Sequence, residues 1–174
     1  METAETAMGY SVPTDSELDV LRRVDLFREL TDEQIQEVAS LGQPLQISAG
    51  QALVQAGEVG NLLFVVIRGF AQLTARSAIG EIPVRAAGPG KAFPLAALVG
   101  SGTLITSAEA ITDMDLLALP RAPLLALCRR DPAIGMGIYA AIASVLGDRY
   151  RKTLAHLTTA AEQVLRQSDF FANV

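Results

Sequence analysis

Between residues 44 and 119 the chain is cut into brief apolar runs punctuated by glycine: PLQISAG, QALVQAG, NLLFVVIRG, FAQLTARS, EIPVRAAGPG, LITSAEAIT and MDLLALP. None is long enough for an ordinary helix, and turn signals recur every several residues. Short strands with evenly spaced turns confine this stretch to an all-β barrel or sandwich. The sharpest signal is VVIRGFAQL, where Arg68-Gly69 is expected to make a hairpin turn.

Helical patterns flank this stretch. In LTDEQIQEVASLG, Thr31 and Gln34 form a capping box, Leu30 is placed to staple against Ile35, and Gly42 is expected in the left-handed position after the helix. RAPLLALCRR predicts a short helix that ends before Asp131-Pro132. From Pro132 onward more than thirty residues run without another proline, with Ile134, Ile138, Ala141, Ile142, Val145 and Leu146 at helical spacing. The stripe of Ile138, Ile142, Val145 and Leu146 is richer than packing on one barrel requires. It is expected to form a homo-oligomer interface through this C-terminal helix.

Half of the 174 residues are apolar, but only 5% are aromatic and Trp is absent, so the core must be built from Ala, Val, Ile and Leu. A formal net charge of −5 argues against a surface that gathers phosphates, so nucleic acid is not an expected partner. The longest weakly apolar stretches are broken by Pro and Gly and do not predict a membrane span. The N-terminal residues carry neither a basic leader nor an apolar core, so a cytoplasmic location is expected. Cys128 is alone and cannot form an internal disulfide.

Catalysis is not indicated. Cys128 and Tyr139 have no evident acid or base partner, and His156 stands without the further ligands a metal site needs. This weighs against a cupin-type enzyme on a similar β-roll. No catalytic residue and no metal are expected.

The stretches VDLFRELTDEQIQEVA, ISAGQALVQAGEVGNLLFVVIRG, GPGKAF, LAALV, SAEAITDMDLLALPRAPLLALCRRDP and IASVLGDRYR together resemble the cyclic-nucleotide-binding domain family over about residues 18–155. Gly50, Gly57, Gly60, Gly69 and Gly90 stand at the turn positions of that family. The resemblance implies a mainly β fold with flanking helices. Its centre would be an eight-stranded antiparallel β-roll, a jelly-roll-like double-stranded β-helix, with an N-terminal helix and a long C-terminal one. The expected divisions are a tail over 1–16, the roll with its N-terminal helix over 17–131, the long helix over 132–168, and a tail over 169–174. In the family such a roll can be followed by a helix-turn-helix module, which this sequence is not expected to contain.

The resemblance also implies where a ligand would sit. The family's phosphate-binding cassette has a Phe-Gly-Glu-x-Ala-Leu stretch followed by Arg-x-Ala-Thr/Ser, in which Arg pairs with the cyclic phosphate and Glu accepts from the ribose hydroxyl. Here the cassette positions are Phe93, Pro94, Leu95, Ala96 and Ala97, then Leu104, Ile105, Thr106 and Ser107. Leu95 replaces the Glu, Leu104 replaces the Arg, and Pro94 replaces the Gly. Truncating one partner of a buried charge pair costs about 2–5 kcal/mol, and a hydrogen bond to a charged group contributes about 1.5–3 kcal/mol. No cofactor is therefore expected, and cyclic AMP and cyclic GMP should not bind below millimolar concentration. A different small ligand, or none, is the expected partner. The alternative is a true cyclic-nucleotide sensor that holds the phosphate with Ser107, backbone amides and a displaced cation. Arg85 and Lys91 are the nearest cations in sequence, and both are expected on the surface.

Overall fold

The computed structural model describes residues 14–172, with side chains described through 166. The expected N-terminal tail therefore lies largely outside the described residues, whereas residues 169–172 of the expected C-terminal tail continue the last helix. Within the described residues the chain opens with α1 (Asp15–Arg23), a helix that the sequence reading placed in the tail or left unassigned. Its signal is a second capping box, Thr14 with Glu17, in which each side chain meets the other's backbone N–H. Next comes α2 (Asp32–Ser40), with the Thr31–Gln34 box formed as expected and Leu30 and Ile35 both buried.

Eight strands follow, β1 (Gln43–Ile47), β2 (Ala52–Val54), β3 (Leu62–Arg68), β4 (Ala71–Ser77), β5 (Gly80–Ala87), β6 (Ala92–Phe93), β7 (Ser107–Ala110) and β8 (Met114–Pro120). They form two antiparallel four-stranded sheets, ordered β1-β8-β3-β6 and β2-β7-β4-β5. A short 3-10 helix, Leu95–Leu98, interrupts the passage from β6 to β7. Helices α3 (Arg121–Arg130) and α4 (Pro132–Ala172) complete the chain. The roll and its flanking helices are those the family resemblance implied.

The near-continuous apolar runs of β3 and β8 follow from what they bury. Phe64, Val66, Leu116 and Ala118 face the opposite sheet, while Leu63, Val65, Leu117 and Leu119 face the helices. A strand covered on both faces has no polar side to alternate with. The roll interior is narrow, so it takes small residues: Ala71, Ala87, Ala108, Ala110 and Ala118 lie among its larger ones. The helical layer instead uses Leu and Ile, including Leu21, Ile35, Leu124, Ile134, Ile138 and Ile142.

Three sequence expectations change. Arg68-Gly69 is not a hairpin turn, because β3 and β4 belong to different sheets. It is a corner, and Gly69 takes φ +84° there, under the backbone of Asp113. The tight hairpin is instead β4–β5, where Ser77 pairs with Gly80 across a two-residue turn. Gly42 does not adopt the left-handed conformation; a Cβ at that position would lie 2.6 Å from Leu117 Cγ, so close packing is its role. Finally, Ile138 and Ile142, expected at an interface, are 1% and 3% exposed within the chain's own helical core. Val145 is partly buried against that core, and Leu146 alone of the four is open, at 39%.

Asp131 caps α4, its Oδ1 accepting from the Ala133 and Ile134 N–H groups at 2.9 and 3.3 Å. At 1.5 Å per residue the 41-residue helix extends about 60 Å. Its first turns are anchored by Ile134, Ile138, Ala141 and Ile142, whereas every residue from 150 to 166 is exposed.

Candidate ligand site at the cassette and the α4 cleft

The cassette opens on Phe93, which pairs with Phe64 across β6 and β3, their rings 5.7 Å apart. A cis peptide joins Phe93 to Pro94. The 3-10 turn then forms, Ala97 N–H donating to Pro94 O at 3.1 Å. The loop that follows is tied to the connection between β2 and β3. Gly57 N–H donates to Leu104 O and Leu104 N–H to Glu58 O, both at 2.8 Å, and Gly60 N–H donates to Gly102 O at 2.9 Å. From the far side, Arg121 Nε donates to Ala97 O at 2.6 Å.

Within this frame Leu104 is 3% exposed and packs against Gly60 and Ala97. A Cβ on Gly60 would lie 2.7 Å from Leu104 Cδ2 and 2.9 Å from Ala97 Cβ. Gly60 therefore serves close approach and not a positive-φ turn, unlike Gly50, Gly57, Gly69 and Gly90. Leu95 is 5% exposed but joins the helical cluster together with Leu98. Leu95 and Leu104, where the resemblance implies ionic contacts, thus pack in different surroundings. Phe93, Pro94 and Ala97 are buried, Ala96 and Thr106 are half-buried, and Ile105 is 78% exposed. Ser107 Oγ accepts from the Ala56 N–H at 3.1 Å.

Leu95 lines a cavity of about 30 Å³ between the roll and α4. Val24, Leu26 and Val145 supply its other apolar walls, and Asp25 and Lys91 meet there in an ion pair of 2.8 Å. Arg85 of β5 and Arg149 of α4 also line it, and neither has an ion-pair partner among the described residues. Burial, and secondarily the charge of Arg149, pushes the Arg85 guanidinium down to about 10. Burial likewise lowers Arg149. Sequence reasoning put Arg85 on the surface and did not consider Arg149. The alternation of GEIPVRAA points to Ile82 and Val84 as the inward residues, but a bulge between the Leu73–Arg85 and Thr74–Pro83 pairs reverses the phase. Ile82 and Val84 end exposed, and Arg85 stands opposite the buried Leu73.

A second, larger cavity lies between α2 and α3, away from the cassette, and is bridged by an Arg130–Glu37 ion pair of 3.2 Å. Among the described residues no three His, Cys, Asp or Glu side chains gather as metal ligands, and no helix is long and apolar enough to cross a membrane. Cys128 is buried in the helical cluster, and burial raises its thiol above the ordinary value. It acts there as a small apolar group.

Along α4 the exposed residues Met136, Tyr139, Ala143, Leu146, Tyr150, Thr153, Leu157, Ala160 and Val164 succeed one another at alternating steps of three and four. That is the spacing of a coiled-coil seam.

A roll of two short sheets, a cassette crossing its end and a trailing helix over the opening define a regulatory β-roll domain. The sequence profile described as cyclic nucleotide-binding domain matches residues 44–131. The chain belongs to this family. It is 32% identical over 120 residues to the cyclic AMP receptor protein of Thermus thermophilus, covering 68% of this chain and 55% of that one. It is 31% identical over 104 residues to the cGMP-dependent protein kinase egl-4 of Caenorhabditis briggsae, covering 59% of this chain and 13% of the kinase. The N-terminal domain of a transcriptional regulator from Streptomyces coelicolor superposes with a TM-score of 0.65 at 31% identity, over 78% of this chain and 94% of that domain. The chain thus spans about half of one curated relative and a small part of the other.

Proposed function

We propose that this chain is a non-enzymatic regulatory module that does not hold cyclic AMP or cyclic GMP through the ribose and phosphate contacts usual in its family. The observation that carries the reading is the packing of Leu104 against Gly60 and Ala97. A phosphate brought there would lose its water and meet methyl groups. Leu95 adds to this, since its place in the helical cluster leaves no acceptor for a ribose hydroxyl. Ser107 Oγ accepts from the Ala56 N–H and keeps its O–H as a donor, so it is the contact through which a sensor with altered chemistry would hold a phosphate. Titration calorimetry of cyclic AMP and cyclic GMP into the full chain is expected to give no saturable heat below millimolar ligand. Saturable micromolar binding would overturn the reading and select a sensor with altered phosphate contacts.

The partner we assign to the module is a second copy of itself, paired along the three-four seam of α4 and not through Ile138 and Ile142. Met136, Tyr139, Leu146, Tyr150, Leu157 and Val164 are the large seam residues, all exposed in the single chain. Sedimentation should report a dimer, and Tyr150→Glu with Leu157→Glu should return it to monomer with the roll still folded. A strict monomer at high concentration refutes the pairing.

A further inference from the structure

Arg85 and Arg149 present an arrangement that neither packing nor the family resemblance requires. They come from different elements, β5 and α4, and line one small cavity without an acid to pair with. The one carboxylate of that cavity, Asp25, is engaged by Lys91 at 2.8 Å. In a chain of net charge −5, three cations and one acid around a single cavity form a local reversal of sign.

We propose that this cleft binds a small oxyanion of the phosphate class, free or as the terminal group of a phosphomonoester, between Arg85 and Arg149, and thereby fastens α4 to β5. Guanidinium groups present planar, paired N–H donors that match phosphate oxygens bidentately. Two cations drawn partly out of water without a counter-charge repel each other, and an anion between them reverses that interaction. The cavity, about 30 Å³, has room for roughly two water-sized bodies, enough for oxyanion oxygens beside the two arginines, with the remainder of an ester lying outside in solvent. Walls of Val24, Leu26, Leu95 and Val145 keep competing water low and strengthen the charge contacts. Neither arginine is a cassette residue, so the inference is independent of the reading of Leu104.

The test is thermal melting and calorimetry of the full chain with inorganic phosphate, and with ribose 5-phosphate, against sodium chloride of equal ionic strength. Phosphate should raise the melting temperature by several degrees. Arg85→Gln and Arg149→Gln, each still melting cooperatively, should weaken binding at least tenfold. Lys152→Gln, which removes an exposed cation of the same helix, should leave binding unchanged. A response to inorganic phosphate assigns the free ion, and a response to the ester alone assigns a phosphorylated metabolite. No shift with either probe, or one equal in all variants, overturns the site. A shift with cyclic AMP that survives both arginine substitutions contradicts the cassette reading instead and leaves this inference standing.

Discussion

At the cassette end of the roll, Leu95 and Leu104, where the family resemblance implies ionic contacts, are buried, Leu95 in the helical cluster and Leu104 beside Gly60. At the end that faces α4, two arginines from distant parts of the sequence share a cavity without an acid between them. One end is apolar and closed; the other gathers cations and is open to solvent. The contrast teaches that one roll can keep an apolar, closed end and a charged, open end at the same time. Backbone hydrogen bonds from Gly57, Gly60 and Leu104 hold the cassette's course, so its shape does not depend on charged side chains.

The largest expected effect breaks the closed end. Leu104→Arg places a cation against Gly60 and Ala97 with no partner, and an uncompensated buried charge costs about 3–5 kcal/mol. Adding Leu95→Glu should not restore the loss, because Leu95 belongs to the helical layer and the two side chains face different surroundings. Urea unfolding of both single variants and the double variant measures this. Recovery of most of the lost stability in the double variant would mean that the two positions share a pocket after all.

Next in size is Gly60→Ala. Its new methyl would lie 2.7 Å from Leu104 and 2.9 Å from Ala97. Ala97 is fully buried and has no rotamer to yield, so overpacking should cost about 1–3 kcal/mol. Leu104→Ala in the same chain should return part of that cost by making room. If Gly60→Ala alone is neutral in urea unfolding, the closed end is looser than its packing indicates.

The open end should respond in the opposite direction. Arg85→Gln removes a partly buried charge and its repulsion with Arg149, so in chloride the variant is expected to melt slightly above the parent. Differential scanning calorimetry without phosphate checks the sign. A lower melting temperature would show that the stem of Arg85 contributes more by packing than its charge costs.

Both ends were unequally legible in the sequence, for physical reasons. The roll announced itself because β3 and β8 bury both faces and therefore show unbroken apolar runs. The Thr31–Gln34 box marks α2 because it is a local contact, and the Thr14–Glu17 box marks α1 in the same way. That Leu95 and Leu104 stand at the family's ionic positions is what the resemblance implies, and so much could be read from the sequence. What they pack against could not, because Gly60 is brought to Leu104 by loop pairing across more than forty residues. Arg85 was misread because one bulged residue reverses the strand's inside and outside. The Arg68-Gly69 corner was misread because a glycine turn looks the same whether the strands it joins pair or part.

A third arginine calibrates the open end and has the smallest expected effect. Arg68 on β3 is exposed and donates to Asp115 of β8 at 2.6 Å, so it has the partner that Arg85 lacks. Its hydrogen bond is the main cause holding the Asp115 carboxyl below the ordinary carboxylate range. A carboxyl depressed in the folded state binds fewer protons there than in the unfolded chain. Its contribution is therefore full above its ordinary value and is lost as the pH falls through the depressed one. Arg68→Gln should lower the urea midpoint a little at neutral pH and leave it unchanged once the medium is acid enough to protonate Asp115. Arg85→Gln has no such carboxylate behind it, so its gain should persist across that acid range. Equal pH dependence in the two variants would show that Arg85 is paired in solution, and the contrast between the two ends of the roll would then lose its electrostatic basis.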